Sequence, residues 1–442
     1  MRFPRDVLYC IEALEGASYP TYAVGGCVRD HLLGLQPHDY DLCTAATPEQ
    51  IQAVFSDHDL VLAGLKHGTV GVILPGGVVE ITTFRTEEGY SDGRHPDHVR
   101  FVTSIQEDLA RRDFTINAMA FSPTRGLIDP FGGREDLRRR ILRAVGDPQK
   151  RFREDALRIL RGVRFAVRFG LEPEEETKRA MDALAGLMDG LARERVFDEL
   201  CKLLPLVDAR DLIRYAPVIL QPIHELESAV GFDQRSPHHA YDLYTHIAHV
   251  TGAVPPDLAL RWAALLHDVG KVPCFSLDEN GRGHFRGHAK TGAVLADQIL
   301  HRLKAPTALR ERVVRLVELH MTPLEPDRKI LRRRLSKLGR EDVELLLELQ
   351  KADMGSKGTG DPEEREVFGQ VRQILDQIYQ EDACLTLRDL AVDGADLIAL
   401  GYAPGKALGA CLQRLLDQVV DEILPNEKAA LLEAAGKELE GR

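Results

Sequence analysis

The chain has 442 residues, enough for several domains, and its 44% hydrophobic and 29% charged residues are typical of a globular protein. The net charge of −12 argues against indiscriminate nucleic-acid binding, although it leaves room for a local basic surface. There is no apolar run long enough for a membrane helix, we expect no signal peptide, and seven cysteines without a C-x-x-C pair argue against a disulfide framework. We therefore expect a cytoplasmic protein.

Up to about residue 135 the sequence combines short strands with helices. Strand-like runs lie at 21–26, 38–44, 68–74 and 78–85, and residues 71–81, with their Pro-Gly-Gly break, are typical of a hairpin. After about residue 140 the strand patterns stop. Residues 153–170 have apolar residues at helical spacing, and Gly170 is a suitable C-cap for that helix. The pattern predicts a small α/β head followed by a long, mostly helical body.

Two aspartates and two glycines in the head form the first candidate site. Asp39 and Asp41 are two residues apart, so on a strand their carboxylates share one face. Carboxylates held this close favour a divalent cation, such as the Mg²⁺ ions of phosphoryl transfer. Gly25 and Gly26 separate a strand from a helix, and such a turn exposes N–H groups to phosphate, with Arg29 adding charge. Each piece alone is typical of an ordinary turn or strand edge, but their order indicates a metal and triphosphate site.

Five ordered motifs in the first 200 residues resemble those of the tRNA nucleotidyltransferases (CCA-adding enzymes) and bacterial poly(A) polymerases, in the bacterial-type (class II) group of the polymerase-β-like superfamily. They are "GGCVRDHLLGLQPHDYDLCT" (25–44), "RRDFTINAMA" (111–120), "DPFGGREDL" (129–137), "REDALRILRGVRFAVRFG" (153–170) and "RERVFDEL" (193–200). The resemblance implies an α+β head with a small mixed sheet and helices, followed by a mostly α-helical neck. It also implies Mg²⁺ at Asp39 and Asp41, with tRNA, CTP and ATP as partners.

Two further motifs would bind the nucleotide. Asp113 and Asn117 are four residues apart and would share a helix face suited to ribose hydroxyls, while Arg112 would pair with the triphosphate. Asp155 and Arg158 are three apart and would meet on one helix face. A carboxylate accepts from the amine of cytosine or adenine and a guanidinium donates to the ring, so this pair would admit CTP and ATP and reject UTP and GTP. An N-cap aspartate and an intrahelical ion pair are the structural alternatives.

The resemblance implies three further site residues in the head. Glu80, on a predicted strand, would supply a third catalytic carboxylate. Residues 85–102 resemble the flexible loop with which complete CCA-adding enzymes switch from C to A, and Arg94 and His95 would act in it. An intact loop favours complete CCA addition. Partial (CC- or A-) addition and poly(A) synthesis are the alternatives within the family.

A second candidate site lies in the helical body. His267 and Asp268 end an apolar helix, and the order H…HD…D resembles the HD-domain phosphohydrolases. The predicted ligands of a divalent metal are His246, His267, Asp268, His288, His320 and Asp353. This mixture of imidazoles and carboxylates suits Mn, Fe, Ni, Co or Mg. We expect a phosphohydrolase side activity.

The motifs together predict four regions. They are a nucleotidyltransferase head (1–137), a helical neck with the base-selecting motif (138–225), an HD domain (226–375) and a helical tail with a candidate tRNA contact (376–442). The predicted function is template-independent addition of CCA to the 3′ end of tRNA, with release of pyrophosphate. The alternatives from other classes are an HD phosphohydrolase whose head binds nucleotide without catalysis, and a non-catalytic RNA-binding module.

Overall fold

The structure is a computed structural model that describes residues 1–88, 98–236, 240–358, 362–381 and 383–440. The chain forms two compact units. The first comprises Met1–Val207 with Arg214–His224, and the second comprises Asp208–Ile213 with Glu225–Arg442. Within the described residues, none of the helices combines the length and the apolar character required to span a bilayer.

A seven-stranded mixed sheet forms the centre of the head. Its strands are β1 (Thr21–Val24), β2 (Asp41–Thr44), β3 (Leu60–Val61), β4 (Thr69–Leu74), β5 (Gly77–Thr83), β8 (Ala120–Ser122) and β9 (Gly126–Ile128), while β6 (Arg85–Glu88) pairs separately with β7 (His98–Phe101). The strand order is β3-β4-β5-β2-β1-β8-β9, and β2 and β5 are parallel while the other neighbours are antiparallel. The predicted α+β head is confirmed.

Helices cover this sheet and carry the site residues. In the head they are α1 (Arg5–Gly16), α2 (Gly26–Leu32), α3 (Pro48–Val54), α4 (Ile105–Ala110) and α5 (Gly133–Arg139). Strand β1 is buried along its whole length, because both faces of the sheet are covered at its centre. The predicted hairpin is confirmed: β4 and β5 pair from Thr69↔Thr82 to Leu74↔Gly77. Strands β2 and β5 are therefore neighbours, and this brings the aspartates close to Glu80.

The helical continuation of the first unit differs from the prediction in one place. Its helices are α6 (Pro148–Glu154), α7 (Leu157–Phe169), α8 (Glu175–Leu184), α9 (Arg193–Leu203) and α11 (Ala216–Ile219), whereas α10 (Ala209–Arg214) belongs to the second unit except for its last residue. The single helix expected over 153–170 is wrong, since Asp155 adopts an extended conformation between α6 and α7. Gly170 ends α7 with a φ of 59°, as predicted, because glycine adopts this left-handed conformation without steric strain.

The second unit is almost entirely helical. Its helices are α12 (Leu243–Ala253), α13 (Leu258–Leu266), α14 (His288–Arg302), α15 (Thr307–Leu319), α16 (Arg328–Leu338), α17 (Arg340–Gly355), α18 (Pro362–Gln380), α19 (Gly394–Leu400), α20 (Lys406–Val420) and α21 (Lys428–Glu440). Four two-residue strands follow residue 140, contrary to the prediction: β10 (Ile141–Leu142), β11 (Glu172–Pro173), β12 (Ser276–Leu277) and β13 (Gly283–His284). The fully buried Trp262 on α13 lies in the core of this unit. The mostly helical body is confirmed.

The division into four regions stays a prediction. Its first boundary, between residues 137 and 138, falls inside α5. Its second boundary, after residue 225, lies next to the start of the long segment of the second compact unit, which begins at Glu225.

Candidate active site

The three predicted catalytic acids line one cleft of about 1010 Å³ in the head. Asp41 is the first residue of β2, whereas Asp39 lies just before it, so the prediction that both are strand residues is wrong for Asp39. Both residues nevertheless line the same cleft. Glu80 reaches the cleft from the neighbouring strand β5.

The charges around Asp41 suit a cation. Desolvation raises the pKa of the Asp41 carboxyl, the negative charge of Asp39 raises it further, and Arg112 opposes both effects. Within the part of the chain that the structure describes, Asp39, Asp41 and Glu80 do not form a tight cluster of three metal ligands, in which all ligand atoms would lie within 4.8 Å of one another. An ion such as Mg²⁺ keeps several water or phosphate ligands and needs only one or two carboxylates, so the open arrangement fits it.

A second cavity, of about 460 Å³, adjoins the first at Asp41 and is lined by residues of α2, α7 and α9. Eight arginines and three aspartates line it, so it is strongly basic, in contrast to the cleft that holds the three acids. Gly25 and Gly26 form one wall. Gly25 has a φ of 72°, and a Cβ atom there would lie 2.7 Å from Arg112 Nη1. Glycine at this turn therefore lets the Arg112 guanidinium approach the backbone that is predicted to bind phosphate.

The predicted ribose-binding residues come together by a different geometry from the one expected. Residues 115–117 form one 3₁₀ turn instead of an α-helix, which corrects the predicted helix face. Asn117 Nδ2 donates to Asp113 Oδ1 at 3.0 Å, and Arg29 Nη1 donates to Asn117 Oδ1 at 2.5 Å. Burial alone would raise the pKa of Asp113, but its ion pair with Arg161 and the bond from Asn117 hold that pKa well below the usual value.

The predicted base selector is also built differently. Asp155 and Arg158 both line the basic cavity, but they lie on different segments and pair with other residues, so the predicted meeting on one helix face is wrong. Asp155 Oδ1 accepts from the N–H of Leu157, which starts α7, and its Oδ2 accepts from Arg195 Nη2 at 2.8 Å. Arg158 Nη1 donates to Glu154 Oε2 at 2.9 Å. The aspartate breaks the helix because its side chain bonds the backbone of the next one.

The sequence prediction missed the arginines of α7 and α9 that line the basic cavity. On α7 these are Arg161, Arg164 and Arg168, and on α9 it is Arg195. For α7, the spacing of its arginines and Arg158 at intervals of three or four residues was the available signal, because such residues share a helix face. Arg29 of α2 lies over the ring of Phe169, with its Cζ 4.4 Å from the centroid, which is a cation–π contact.

Arg94 and His95 lie outside the described residues. The structure describes the flanking strands β6 and β7, which pair from Arg85↔Phe101 to Glu88↔His98. The role of this segment in complete CCA addition stays a prediction.

All six predicted ligands of the second site come together around Asp268. They are His246, His267, Asp268, His288, His320 and Asp353. Asp268 Oδ2 lies 3.5 Å from His246 Nε2 and 3.1 Å from His267 Nε2. Its Oδ1 lies 3.4 Å from His288 Nε2 and 3.7 Å from His320 Nε2. Two groups of three buried ligands therefore share Asp268.

The hydrogen bonds of the four histidines fit a metal. Each Nδ1 lies 2.7–3.3 Å from a backbone carbonyl oxygen, namely those of Ser356, Ala264, Phe285 and Val317. A carbonyl only accepts, so each Nδ1 carries a proton and Nε2 is the ring nitrogen that faces the carboxylates and can bind a metal. The Nε2 atoms of His288 and His320 are 3.3 Å apart. Two imidazole nitrogens this close can bind a single cation, so this donor set suits a transition metal.

Lys271, which the sequence prediction missed, also contacts the second site. Its buried ammonium group lies 2.8 Å from Asp268 Oδ2 and donates to Gln234 Oε1 at 2.9 Å. Both Lys271 and Asp268 line a cavity of about 640 Å³. A cation at this position can hold an anionic ligand beside the histidines.

Three family descriptions match the chain. "Poly A polymerase head domain" matches residues 21–143, which include the acids and the glycine turn. "Probable RNA and SrmB- binding site of polymerase A" matches residues 170–214, and "tRNA nucleotidyltransferase domain 2 putative" matches residues 288–435.

Proteins named CCA-adding enzyme match along almost the whole chain. The one from Latilactobacillus sakei is 33% identical and covers 97% of this chain and 97% of its own, and the one from Levilactobacillus brevis is 36% identical and covers 96% and 95%. The crystal structure of the Bacillus stearothermophilus CCA-adding enzyme in complex with CTP superimposes with a TM-score of 0.70 at 30% identity, covering 100% of this chain and 99% of that one. The chain belongs to the family of CCA-adding enzymes.

Proposed function

We propose that this chain adds C, C and A in turn to the 3′ end of tRNA, using CTP, ATP and Mg²⁺. One observation carries the proposal: Asp41 borders both the acidic cleft and the arginine-rich cavity that contains Asp155 and Arg158. A triphosphate favours the basic cavity, and its α-phosphate can then lie beside the acids. The relative from Bacillus stearothermophilus was crystallised with CTP, which supports the same ligand here.

The reaction forms one bond and breaks one. The 3′-hydroxyl of the tRNA releases its proton to solvent, and its oxygen bonds to the α-phosphorus of CTP or ATP. The bond from that phosphorus to the bridging oxygen breaks, and pyrophosphate leaves. Asp39 and Asp41, with Glu80 nearby, would hold a divalent cation, which would supply positive charge to the attacking and leaving oxygens. Arg112 and the glycine turn hold the triphosphate, and the paired Asp113 and Asn117 orient the ribose.

Selection of the base follows from the hydrogen-bond donors and acceptors that line the cavity. Asp155 is an acceptor and suits the amines of cytosine and adenine, while Arg158 is a donor and suits their ring nitrogens. Uracil and guanine would place a carbonyl oxygen against the carboxylate, and this mismatch leaves buried polar groups without partners.

The test uses a tRNA transcript that ends before CCA, incubated with each labelled nucleotide alone and with CTP plus ATP. We expect extension by C residues with CTP alone and by three nucleotides with CTP plus ATP. Extension that stops after CC would indicate a partial adder, and unlimited tailing by ATP would indicate poly(A) synthesis. No extension under any condition would contradict a nucleotidyltransferase role.

We also propose a metal-dependent phosphohydrolase activity at the second site. The supporting observation is the convergence of four histidine Nε2 atoms on the two oxygens of Asp268. Five cationic side chains line the adjoining cavity, which suits the negative charge of a phosphate ester: Lys271, Arg282, Arg286, Lys290 and Lys357.

The test of this activity separates it from the head. A variant with Asp39→Asn and Asp41→Asn is purified, and its hydrolysis of p-nitrophenyl phosphate and of a cyclic nucleotide phosphodiester is measured with Mn, Ni, Co, Fe and Mg. We expect turnover with at least one metal and its loss in the further variant Asp268→Ala. Equal rates with and without Asp268 would contradict the proposal.

We place both activities in the cytoplasm. None of the seven cysteines forms a disulfide, which is typical of proteins in a reducing compartment.

A further inference from the structure

Arg195 of α9 contacts the predicted base-selecting aspartate, Asp155, in the basic cavity. It lines the cavity together with Asp155 and Arg158, and its Nη2 donates to Asp155 Oδ2 at 2.8 Å. This pair joins α9 to the junction between α6 and α7, 40 residues earlier in the chain. Both side chains are largely shielded from solvent, at 21% exposure for the arginine and 16% for the aspartate.

The second nitrogen of Arg195 distinguishes it from an arginine that only stabilises the fold. Nη1 is buried and has no hydrogen-bond partner among the described residues. A buried donor without a partner is unfavourable, so a structural role alone would leave this cost uncompensated. A nucleotide in the cavity would offer acceptors to it.

The hydrogen bonds of Asp155 show what Arg195 does to this carboxylate. The N–H of Leu157 holds Oδ1 at 3.0 Å, and Arg195 holds Oδ2, so the two bonds fix the orientation of the carboxylate plane. Each oxygen keeps a second lone pair for a ligand. Without Arg195 the side chain of Asp155 would be held by the backbone bond alone and could rotate about it.

Resting on the proposed function, we propose that Arg195 is a positioning residue for base selection: it aligns Asp155 as the acceptor for the amine of CTP and ATP. Discrimination against UTP and GTP depends on this alignment, because a carboxylate that can turn away no longer opposes a carbonyl oxygen at a fixed place. Arg158 has its own anchors, the carboxylate of Glu154 and the backbone carbonyl of Arg111, so the two halves of the selector are oriented independently.

The experiment compares kcat/KM for CTP and UTP on tRNA lacking CCA, and for ATP and GTP on tRNA ending in CC. Arg195→Ala should lower the CTP/UTP and ATP/GTP ratios by roughly tenfold or more. Arg195→Lys should restore part of each ratio, since it keeps the charge but not the planar guanidinium. Asp155→Asn combined with Arg195→Ala should lower the ratios little further than Asp155→Asn alone, because both changes remove one interaction.

The matched control is Arg193→Ala on the same helix. Arg193 donates to the backbone oxygen of Asp189 and does not line the cavity, so its loss should leave all four kcat/KM values within about twofold. Thermal unfolding of each variant checks the fold. If Arg195→Ala does not fold, the two single variants Arg195→Lys and Asp155→Asn provide the test.

Two outcomes would overturn the inference. Equal losses for all four nucleotides would show a structural role, and unchanged ratios would show that Asp155 needs no alignment. If the wild type extends no tRNA with CTP, the proposed function fails and the inference fails with it. If the wild type extends tRNA and Arg195→Ala keeps its ratios, the inference alone fails.

Discussion

Asp113 shows how single residues of this site combine binding with stability. It is buried, accepts two hydrogen bonds from Arg161 on Oδ2, and accepts one from Asn117 on Oδ1. The same carboxylate therefore holds the ribose-binding asparagine and ties α7 to the head. The carboxylate of this ion pair is buried whereas the guanidinium of Arg161 is partly exposed, so solvent reduces the cost of losing the pair.

Replacing this aspartate tests both roles. Asp113→Asn should lower the free energy of unfolding by about 1 kcal/mol, because the ion pair with Arg161 is lost and solvent partly screens the guanidinium that remains, whose side chain is 36% exposed. It should also raise KM for CTP roughly tenfold through the displaced asparagine. Asp182→Asn, which breaks a partly exposed pair with Lys178 within one helix, is the control and should cost no more than about 0.5 kcal/mol. Urea unfolding and nucleotide kinetics measure these effects.

The difference in unfolding free energy between the wild type and Asp113→Asn depends on pH with a defined sign. The pKa of Asp113 is lowered in the folded protein, so its stabilising contribution is complete above the unfolded value near 3.8 and disappears as the pH falls below it. The stability difference between wild type and Asp113→Asn should therefore be constant from pH 7 to about 5 and shrink at lower pH. A difference that grows on acidification would contradict the assigned ion pair.

The thiols give a second prediction at the scale of single residues. Burial raises the pKa of Cys10 to about 12 and that of Cys27, with Asp41 contributing, to about 11. The thiolate is the reactive form, so at pH 8 both should react with iodoacetamide at least ~100-fold more slowly than an ordinary exposed thiol. Cys201 and Cys274, which are partly exposed, should be modified first. Mass spectrometry of native and urea-unfolded protein measures the order, and equal rates in the native protein would contradict it.

At the scale of elements, the site depends on close approaches between short segments. The single turn at Thr115–Asn117 replaces the expected helix, and the start of α5 packs directly against it. A Cβ atom at Gly133 would lie 2.1 Å from the backbone oxygen of Thr115. Glycine is required there so that α5 can support the turn that carries Asn117.

Gly133→Ala tests this packing. We expect a loss of about 3 kcal/mol in the free energy of unfolding, because a backbone atom is the obstacle and cannot rotate away. Gly186→Ala is the matched control, since a Cβ atom there meets nothing within 4 Å, and its effect should stay within about 0.5 kcal/mol. Urea unfolding of both variants is the measurement, and equal stabilities would argue against the close contact.

At the scale of the whole molecule, the two candidate sites belong to different compact units. Asp41 lies in the unit that contains Met1–Val207, and Asp268 lies in the unit that contains Glu225–Arg442. Each site is completed by residues of its own unit in the described parts of the chain. The two proposed activities should therefore be separable by point mutation.

Two reciprocal variants test the separation. Asp41→Asn should reduce CCA addition by at least ~1,000-fold, because it removes a carboxylate at the reacting phosphate, and should leave phosphate-ester hydrolysis unchanged. Asp268→Ala should lower the bound transition-metal content, measured by elemental analysis after dialysis, and should leave CCA addition unchanged. Loss of both activities in either variant would show that the sites depend on each other.

The sequence by itself determined the chemistry of this protein, and the tertiary structure decided how the chemistry is assembled. The spacing of Asp39 and Asp41, the glycine turn and the H…HD…D order predicted residues that line shared cavities or meet at one carboxylate, because residue type and strand direction are local properties.

The partnership of Asp155 with Arg195 could not be predicted from the sequence. The three-residue spacing of Asp155 and Arg158 suggests an ion pair within one helix. In the structure, the Asp155 side chain accepts a hydrogen bond from the backbone of Leu157, which interrupts the helix, and pairs with Arg195, 40 residues later in the chain. For the same reason the turn at Asn117 and the contact of Lys271 with Asp268 emerged only from the structure. Long-range packing selects among locally acceptable conformations, and the local sequence pattern does not show which conformation the folded chain adopts.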